Sequence, residues 1–287
     1  MKFDLMGKIC TGQDGAIWGP FLFRFQSDGR CCVYEWEQLA GTDSEPAEAF
    51  AQFRLDKCQL LMPHSNAVFF GREYALEGDE FPILYTNIYN SYAKESDRKE
   101  GTCCAYRLWR EGTAFYSQLL QVIRIGFTKD TALWCSPDGG DVRPYGNFVA
   151  DRATGTCYAF TMRDAARTTR YFAFRLPKLV AGEMDERYGV PAVTLRPEDV
   201  LDWFDCPYHH YVQGACVHDG CIYSLEGFTD DAENPPMLRI IDPRLRRETA
   251  AVPLATYGLS VEPELIDFSA ERCIYADHTG NVYEISF

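Results

Sequence analysis

The sequence predicts an all-β fold assembled from one repeated antiparallel sheet, and three observations point there. Aromatic residues make up 14% of the 287 positions, and such side chains favour the pleated, half-buried surface of a strand. Apolar and polar residues alternate with period two in short runs, separated by turns rich in Gly and Asp. A five-residue strand with a large apolar centre recurs along the whole chain. At 46% hydrophobic and 24% charged, the composition excludes a disordered or collagen-like chain.

The recurring strand spans Cys32 to Trp36, Cys104 to Leu108, Phe172 to Leu176, Leu238 to Asp242 and Asn281 to Ile285, centred on Tyr34, Tyr106, Phe174, Ile240 and Tyr283. Upstream of each copy lies a second strand: Phe21-Leu22-Phe23 (the weakest), Leu84-Tyr85-Thr86, Cys157-Tyr158-Ala159, Ile222-Tyr223-Ser224 and Ile274-Tyr275-Ala276. Before that comes an element that opens polar or small and turns apolar: Gln13 to Ala16, His64 to Ala67, Tyr145 to Phe148, Val212 to Ala215 and Glu262 to Leu265. Asp28-Gly29, Thr154-Gly155, Asp219-Gly220 and Thr279-Gly280 fall between apolar runs, where hairpin turns need positive φ. A fourth strand follows in several units, at Ser117 to Arg124, Ala192 to Leu195 and Thr249 to Val252. Arg196 to Leu201, with Pro at its first turn and acids following, reads as a helical insertion, and Ser44 to Phe50 as a weaker helix start.

Five units of four strands resemble a five-bladed β-propeller over essentially the whole chain. The expected single domain divides into blade one at about 13–62, blade two at 63–143, blade three at 144–207, blade four at 208–260, and blade five at 261–287 plus 1–12. The last unit lacks a fourth strand and Phe3 to Ile9 belongs to no other unit, so the amino-terminal strand is expected to close the ring in the last blade. The stretches 41–62 and 113–143 leave room for a sixth blade. Neither a recurring Trp-Asp dipeptide nor a double-glycine repeat assigns a propeller family.

A propeller gathers the starts of its innermost strands and the ends of its second strands at one mouth of the channel, the default ligand site. The residues expected there as ligand-binding are His64, Asn66, Arg143, Tyr145, Asn147, Arg163, Gln213 and His278. Gln13, Arg24, Asn87 and the acids Asp14, Glu226, Glu262 and Glu264 project to the same end. Three long connections, 90–100, 127–144 (with Trp134 and Arg143) and 229–236, lie nearby, and enlarged loops on a rigid scaffold tend to carry binding residues. Amides, carboxylates, Tyr and Arg together suit a polyhydroxyl or anionic small molecule, which needs both donors and acceptors.

Arabinanase-like glycosidases, a class of five-bladed propellers, use carboxylates on inner strands, and this chain resembles them in offering Asp14 from blade one, Glu226 from blade four and Glu262 or Glu264 from blade five at the mouth. That resemblance implies a hydrolase with one carboxyl as acid and another as base, and makes these four acids its catalytic candidates. The chain departs from the class at Asn66 and Asn147, since an amide transfers no proton. Whether the protein is an enzyme is left open, and a protein-interaction scaffold is the third reading.

No cofactor motif is evident; a divalent metal would have to sit at the mouth, between His64 or His278 and Glu262, Glu264 or Asp277. The twelve cysteines, mostly in apolar strand contexts, read as reduced small hydrophobes, and the neighbours Cys31-Cys32 and Cys103-Cys104 should point to opposite faces. A net charge of −14 disfavours nucleic acid and anionic membrane as partners. The amino-terminal segment lacks an apolar signal core, so the expected compartment is the cytoplasm and the expected partner a small polar molecule, with a protein partner as the alternative.

Overall fold

A computed structural model describes residues 1–39, 45–88, 101–125, 148–163, 166–209 and 211–287, and the backbone of 142–143. The chain opens with β1 (Lys2–Lys8). Blade one holds β2 (Gly15–Trp18), β3 (Phe21–Phe25), β4 (Arg30–Glu35) and β5 (Ala51–Arg54), in that order outward. One helical turn, Cys58–Leu61, leads into blade two: β6 (Val68–Phe70), β7 (Leu84–Ile88), β8 (Thr102–Glu111) and β9 (Ala114–Ile125).

Blade three is built on β10 (Val142–Arg143), β11 (Val149–Asp151), β12 (Thr156–Arg163) and β13 (Thr168–Arg175). The chain then makes a short hairpin, β14 (Glu183–Asp185) and β15 (Val190–Leu195), before β16 (Asp202–Pro207) completes the blade. Blade four holds β17 (Val212–His218), β18 (Cys221–Glu226), β19 (Met237–Asp242) and β20 (Arg247–Pro253). Blade five holds β21 (Pro263–Ser269), β22 (Arg272–Asp277) and β23 (Asn281–Ser286).

The five sheets stand in a ring: β2 packs against β21 and β6, and β17 against β11 and β21. β1 closes it, antiparallel to β23 with Lys2 opposite Ser286 and Lys8 opposite Asn281 and a bulge between Leu5 and Gly7. Ile9 continues the contact by donating its N–H to Gly280 O at 2.8 Å. Without β1, the edge of β23 would present unpaired N–H and C=O groups to solvent.

Each interface between blades carries its own apolar cluster, because a blade strand is buried on both faces. Phe21, Phe23 and Phe25 point toward blade two while Leu22, between them, points toward blade five. On β22, Ile274 and Ala276 face blade one, and Cys273 and Tyr275 face blade four. The neighbouring cysteines divide as expected: Cys103 packs toward blade three and Cys104 toward blade one. The described cysteines are all free thiols. The anticipated hairpin turns form, and Gly29, Gly155, Gly220 and Gly280 all take positive φ.

Two elements differ from expectation. Ala192 to Leu195 does not complete blade three; it pairs in parallel with β9 of blade two, Ala192 opposite Val122 and Leu195 opposite Ile125. The fourth strand of blade three is β16, antiparallel to β13. Both segments alternate, so period alone did not separate them. What decides is that Phe204 and Cys206 fill the cluster between blades three and four, while the β14–β15 hairpin covers the outer edge of β9. The expected helix at Arg196 to Leu201 shrinks to a 3₁₀ turn, Pro197–Asp199, in which Asp199 Oδ2 accepts Arg196 N–H at 2.8 Å. No helix starts in the described part of 44–50, which runs irregularly into β5. Neither 45–62 nor 113–125 adds a blade, and no described helix is long and apolar enough to cross a membrane.

Candidate functional site

Closing the ring brings blade five, carrying Glu262, Glu264 and His278, between blade one with Gln13 and Arg24 and blade four with Gln213. Glu262 and Glu264 lie two apart at the start of β21, and His278 follows β22, held by donating its backbone N–H to Glu262 O at 2.8 Å. One ligand-capable atom from each of these three side chains lies within 4.8 Å of the others. Blades one and four add amides. Gln13 Nε2 donates to Glu264 Oε1 at 3.3 Å, and Gln213 Nε2 donates to Glu262 Oε1 at 2.5 Å.

The electrostatics of this cluster are unusual for surface acids. Burial pushes the Glu262 carboxyl up to about 7, with Glu264 adding to the rise and His278 opposing it. Glu264 is almost fully buried and is also raised by desolvation, against the lowering influence of His278 and Arg24. Its Oε1 accepts from His278 Nδ1 at 3.2 Å, while its buried Oε2 has no protein hydrogen bond. The same bond raises His278 above its ordinary value. The imidazolium of His278 thus stabilises both carboxylates, while the two carboxyls oppose each other's ionisation.

Arg24 sits behind this group, fully buried on β3. Its Nη2 donates to Gly12 O at 2.7 Å and Asp277 O at 2.9 Å, tying the closing segment to blades one and five. Desolvation lowers its pKa, and Glu264 is the strongest opposing charge. The guanidinium is turned inward on backbone and does not present itself at the rim.

The remaining expected residues are distributed elsewhere. Asp14 is fully buried, and its Oδ2 accepts the N–H of Val68 at 3.0 Å, stapling blade one to blade two. Burial drives its carboxyl well above the usual range, against two backbone hydrogen bonds. Glu226 is taken by Arg239, whose Nε donates to its Oε1 at 2.7 Å. Arg163 reaches outward to Asp205 at 3.4 Å, a carboxylate it shares with Arg170. Asn66 Oδ1 accepts from Asn87 Nδ2 at 3.0 Å, and Asn87 Oδ1 accepts the N–H of Ala67, so this amide pair is satisfied within blade two. His64 is half-buried just ahead of β6. Both carboxylate oxygens of Asp277 close the turn to Asn281. Arg143 pairs through its backbone with Met162; Tyr145, Asn147, Trp134 and the loop 90–100 lie outside the described residues.

Of the four acids proposed as catalytic, only Glu262 and Glu264 therefore meet, two residues apart at the entry to β21. Sequence reading missed two features. Asp267 repeats the stapling of Asp14, accepting Ile17 N–H at 2.8 Å across the blade five to blade one interface. A buried polar chain links blades three and four: Tyr171 O–H to His209 Nδ1 at 3.1 Å, His209 Nε2–H to Glu248 at 3.0 Å, Glu248 to Arg239, and Arg239 to Glu226. No spacing in the sequence marks such a chain, because its members come from four strands and one connection of two blades.

Among the described residues, two cavities lie away from the Glu262 cluster. One of about 600 Å³ lies under the β14–β15 hairpin beside Arg124 and Asp185, and one of about 550 Å³ lies beside Cys10 and Cys32.

No protein-family model matches the sequence, and no curated protein does. Among solved structures, the computationally designed protein Ika8 is 10% identical with a TM-score of 0.35, covering 99% of this chain and 100% of its own. BamB from Moraxella catarrhalis is 12% identical with a TM-score of 0.30, covering 95% of this chain and 69% of its own. At these scores the comparisons carry no argument, and what this protein does rests on its own site.

Proposed function

We propose that the protein binds a small, neutral, donor-rich ligand, of the saccharide class, at the channel mouth around Glu262, Glu264 and His278. The observation that carries this reading is the carboxyl pair of raised pKa flanked by the amides Gln13 and Gln213. Such a group accepts hydrogen bonds from hydroxyls at its carboxyl and amide oxygens and can return one through the second Nε2–H of Gln13. An anionic metabolite fits less well, since the mouth offers two acids while Arg24 is fully buried, its Nη2 held by two backbone carbonyls. Hydrolysis has less support than binding: Asp14 and Glu226 are committed to Val68 and Arg239, so neither of these candidates serves as a second acid facing the Glu262–Glu264 pair across the channel.

Thermal shift against neutral saccharides, anionic metabolites, divalent cations and nitrophenyl glycosides tests this. A saccharide at a hundredfold its Kd should raise the Tm by on the order of 5 °C. Gln213→Ala and Glu262→Gln should abolish the rise while leaving the unliganded fold intact. A shift with anions alone, or turnover of a glycoside that survives Glu262→Gln, overturns the reading.

A further inference from the structure

The seam that closes the ring contains a second group of reactive side chains, apart from the mouth. Cys10 follows β1 and packs, with Cys32 of β4, into the cluster between blades five and one. Both are half-buried and free, whereas most of the other described cysteines are fully enclosed. Each thiol is the strongest influence on the other's ionisation. Gln26 Nε2 donates to Cys10 Sγ at 3.5 Å, and Cys10 N–H donates to Tyr34 Oη at 3.0 Å. They open onto the 550 Å³ cavity, whose wall also carries Arg30, Gln52 and Arg54.

We propose that Cys10 and Cys32 form a dithiol oxidised by hydroperoxides, with Cys10 the attacking sulfur and Cys32 the resolving one. Cys10 attacks the O–O bond of hydrogen peroxide; the sulfur gains one oxygen, and the leaving hydroxide takes a proton to become water. The Cys32 thiol then displaces hydroxide from the resulting sulfenic acid, and its proton leaves in a second water. In sum, two thiols and one peroxide give one disulfide and two waters.

The groups facing Cys10 favour that role. Cys32 as hydrogen-bond donor is the largest influence lowering Cys10, to about 6; burial opposes it, and Tyr34, Arg24 and Gln26 lower it further. Cys31, from the same strand and also on the cavity wall, packs into the cluster between blades one and two, and burial holds its thiol well above its ordinary value. Arg54 on the cavity wall supplies positive charge where peroxide enters and hydroxide leaves, while Arg30 beside it is paired with Asp28.

The test is peptide-level mass spectrometry on the reduced full chain after one equivalent of hydrogen peroxide. A Cys10–Cys32 crosslink and the loss of two native thiols are expected. Cys32→Ser should stall at a sulfenic acid on Cys10, trapped by dimedone, and Cys10→Ser should abolish the reaction. In the unmutated protein, iodoacetamide labelling of Cys10 should rise with pH through a midpoint near 6 and at pH 7 outpace Cys221 by at least about fourfold, the thiolate gain net of weaker nucleophilicity. A midpoint above 8, or oxidation that begins at another cysteine, overturns the proposal even if both variants misfold.

Discussion

At the residue scale, the acids of the inner strands have opposite fates, and burial sets them. Asp14 is sealed against Val68, so its carboxylate holds the blade interface together and faces no solvent. Asp14→Ala leaves the Val68 N–H buried without an acceptor and should cost about 1–3 kcal/mol, while Asp14→Asn keeps the acceptor and should cost far less. Urea unfolding with an unchanged slope and a lowered midpoint for the alanine variant checks this.

Glu262 keeps partial contact with solvent and takes its raised pKa from desolvation and from Glu264. A carboxyl raised in the folded state opposes folding once it ionises, so its influence grows as pH climbs from about 4.5 to about 7. His278, raised by Glu264, acts in the same sense: its stabilisation is complete below its ordinary value of 6.5 and fades as pH rises through its folded one. The native protein should therefore lose Tm between pH 5 and pH 8 relative to Glu262→Gln, by on the order of 2–4 °C. Parallel melting curves of the two proteins over that range would refute the assignment.

At the scale of elements, the closing strand and the hairpin arm both work by covering an edge. Gly280 turns at φ 92°, and a Cβ there would stand 2.2 Å from Ile9 O, the carbonyl beside the last ring-closing contact. Gly280→Ala should cost about 2 kcal/mol or more through strain and displacement of that segment, read as a lowered urea midpoint. Deleting residues 1–9 should be worse, producing aggregation as well as a lower Tm, because it bares β23.

Strand order within each blade was legible from alternation and turn glycines, and so was the closure by β1. The swap between β15 and β16 was not. Alternation reports that a strand has two faces, but not which neighbour it pairs with, and here the pairing was decided by the packing of Phe204 and Cys206.

At the scale of the molecule, stability is divided among five interface clusters, and each blade contributes to two. Among the described residues the largest joins blades one and two, where Phe23 packs against Phe70, Phe81 and Phe115 with ring centroids 5.3, 5.5 and 5.8 Å away. Phe23→Ala should cost about 3–5 kcal/mol. Because the ring couples every blade to both neighbours, chemical denaturation followed by fluorescence and by circular dichroism should still give coincident transitions; a variant that melts blade by blade would contradict this coupling.

The amino-acid sequence by itself determined the five-fold repeat, the two-sided burial of its strands and the closure at the amino terminus, since each is a local pattern of period, turn and edge. It also placed Gln213, Glu262, Glu264 and His278 at one end of the ring. Only the tertiary structure decided which of the mouth's polar residues remain available. Asp14, Glu226, Arg163 and Asn66 are claimed by Val68, Arg239, Asp205 and Asn87, partners up to 54 positions away. A hydrogen bond between distant segments is a matter of distance and direction after packing, and no one-dimensional spacing encodes it.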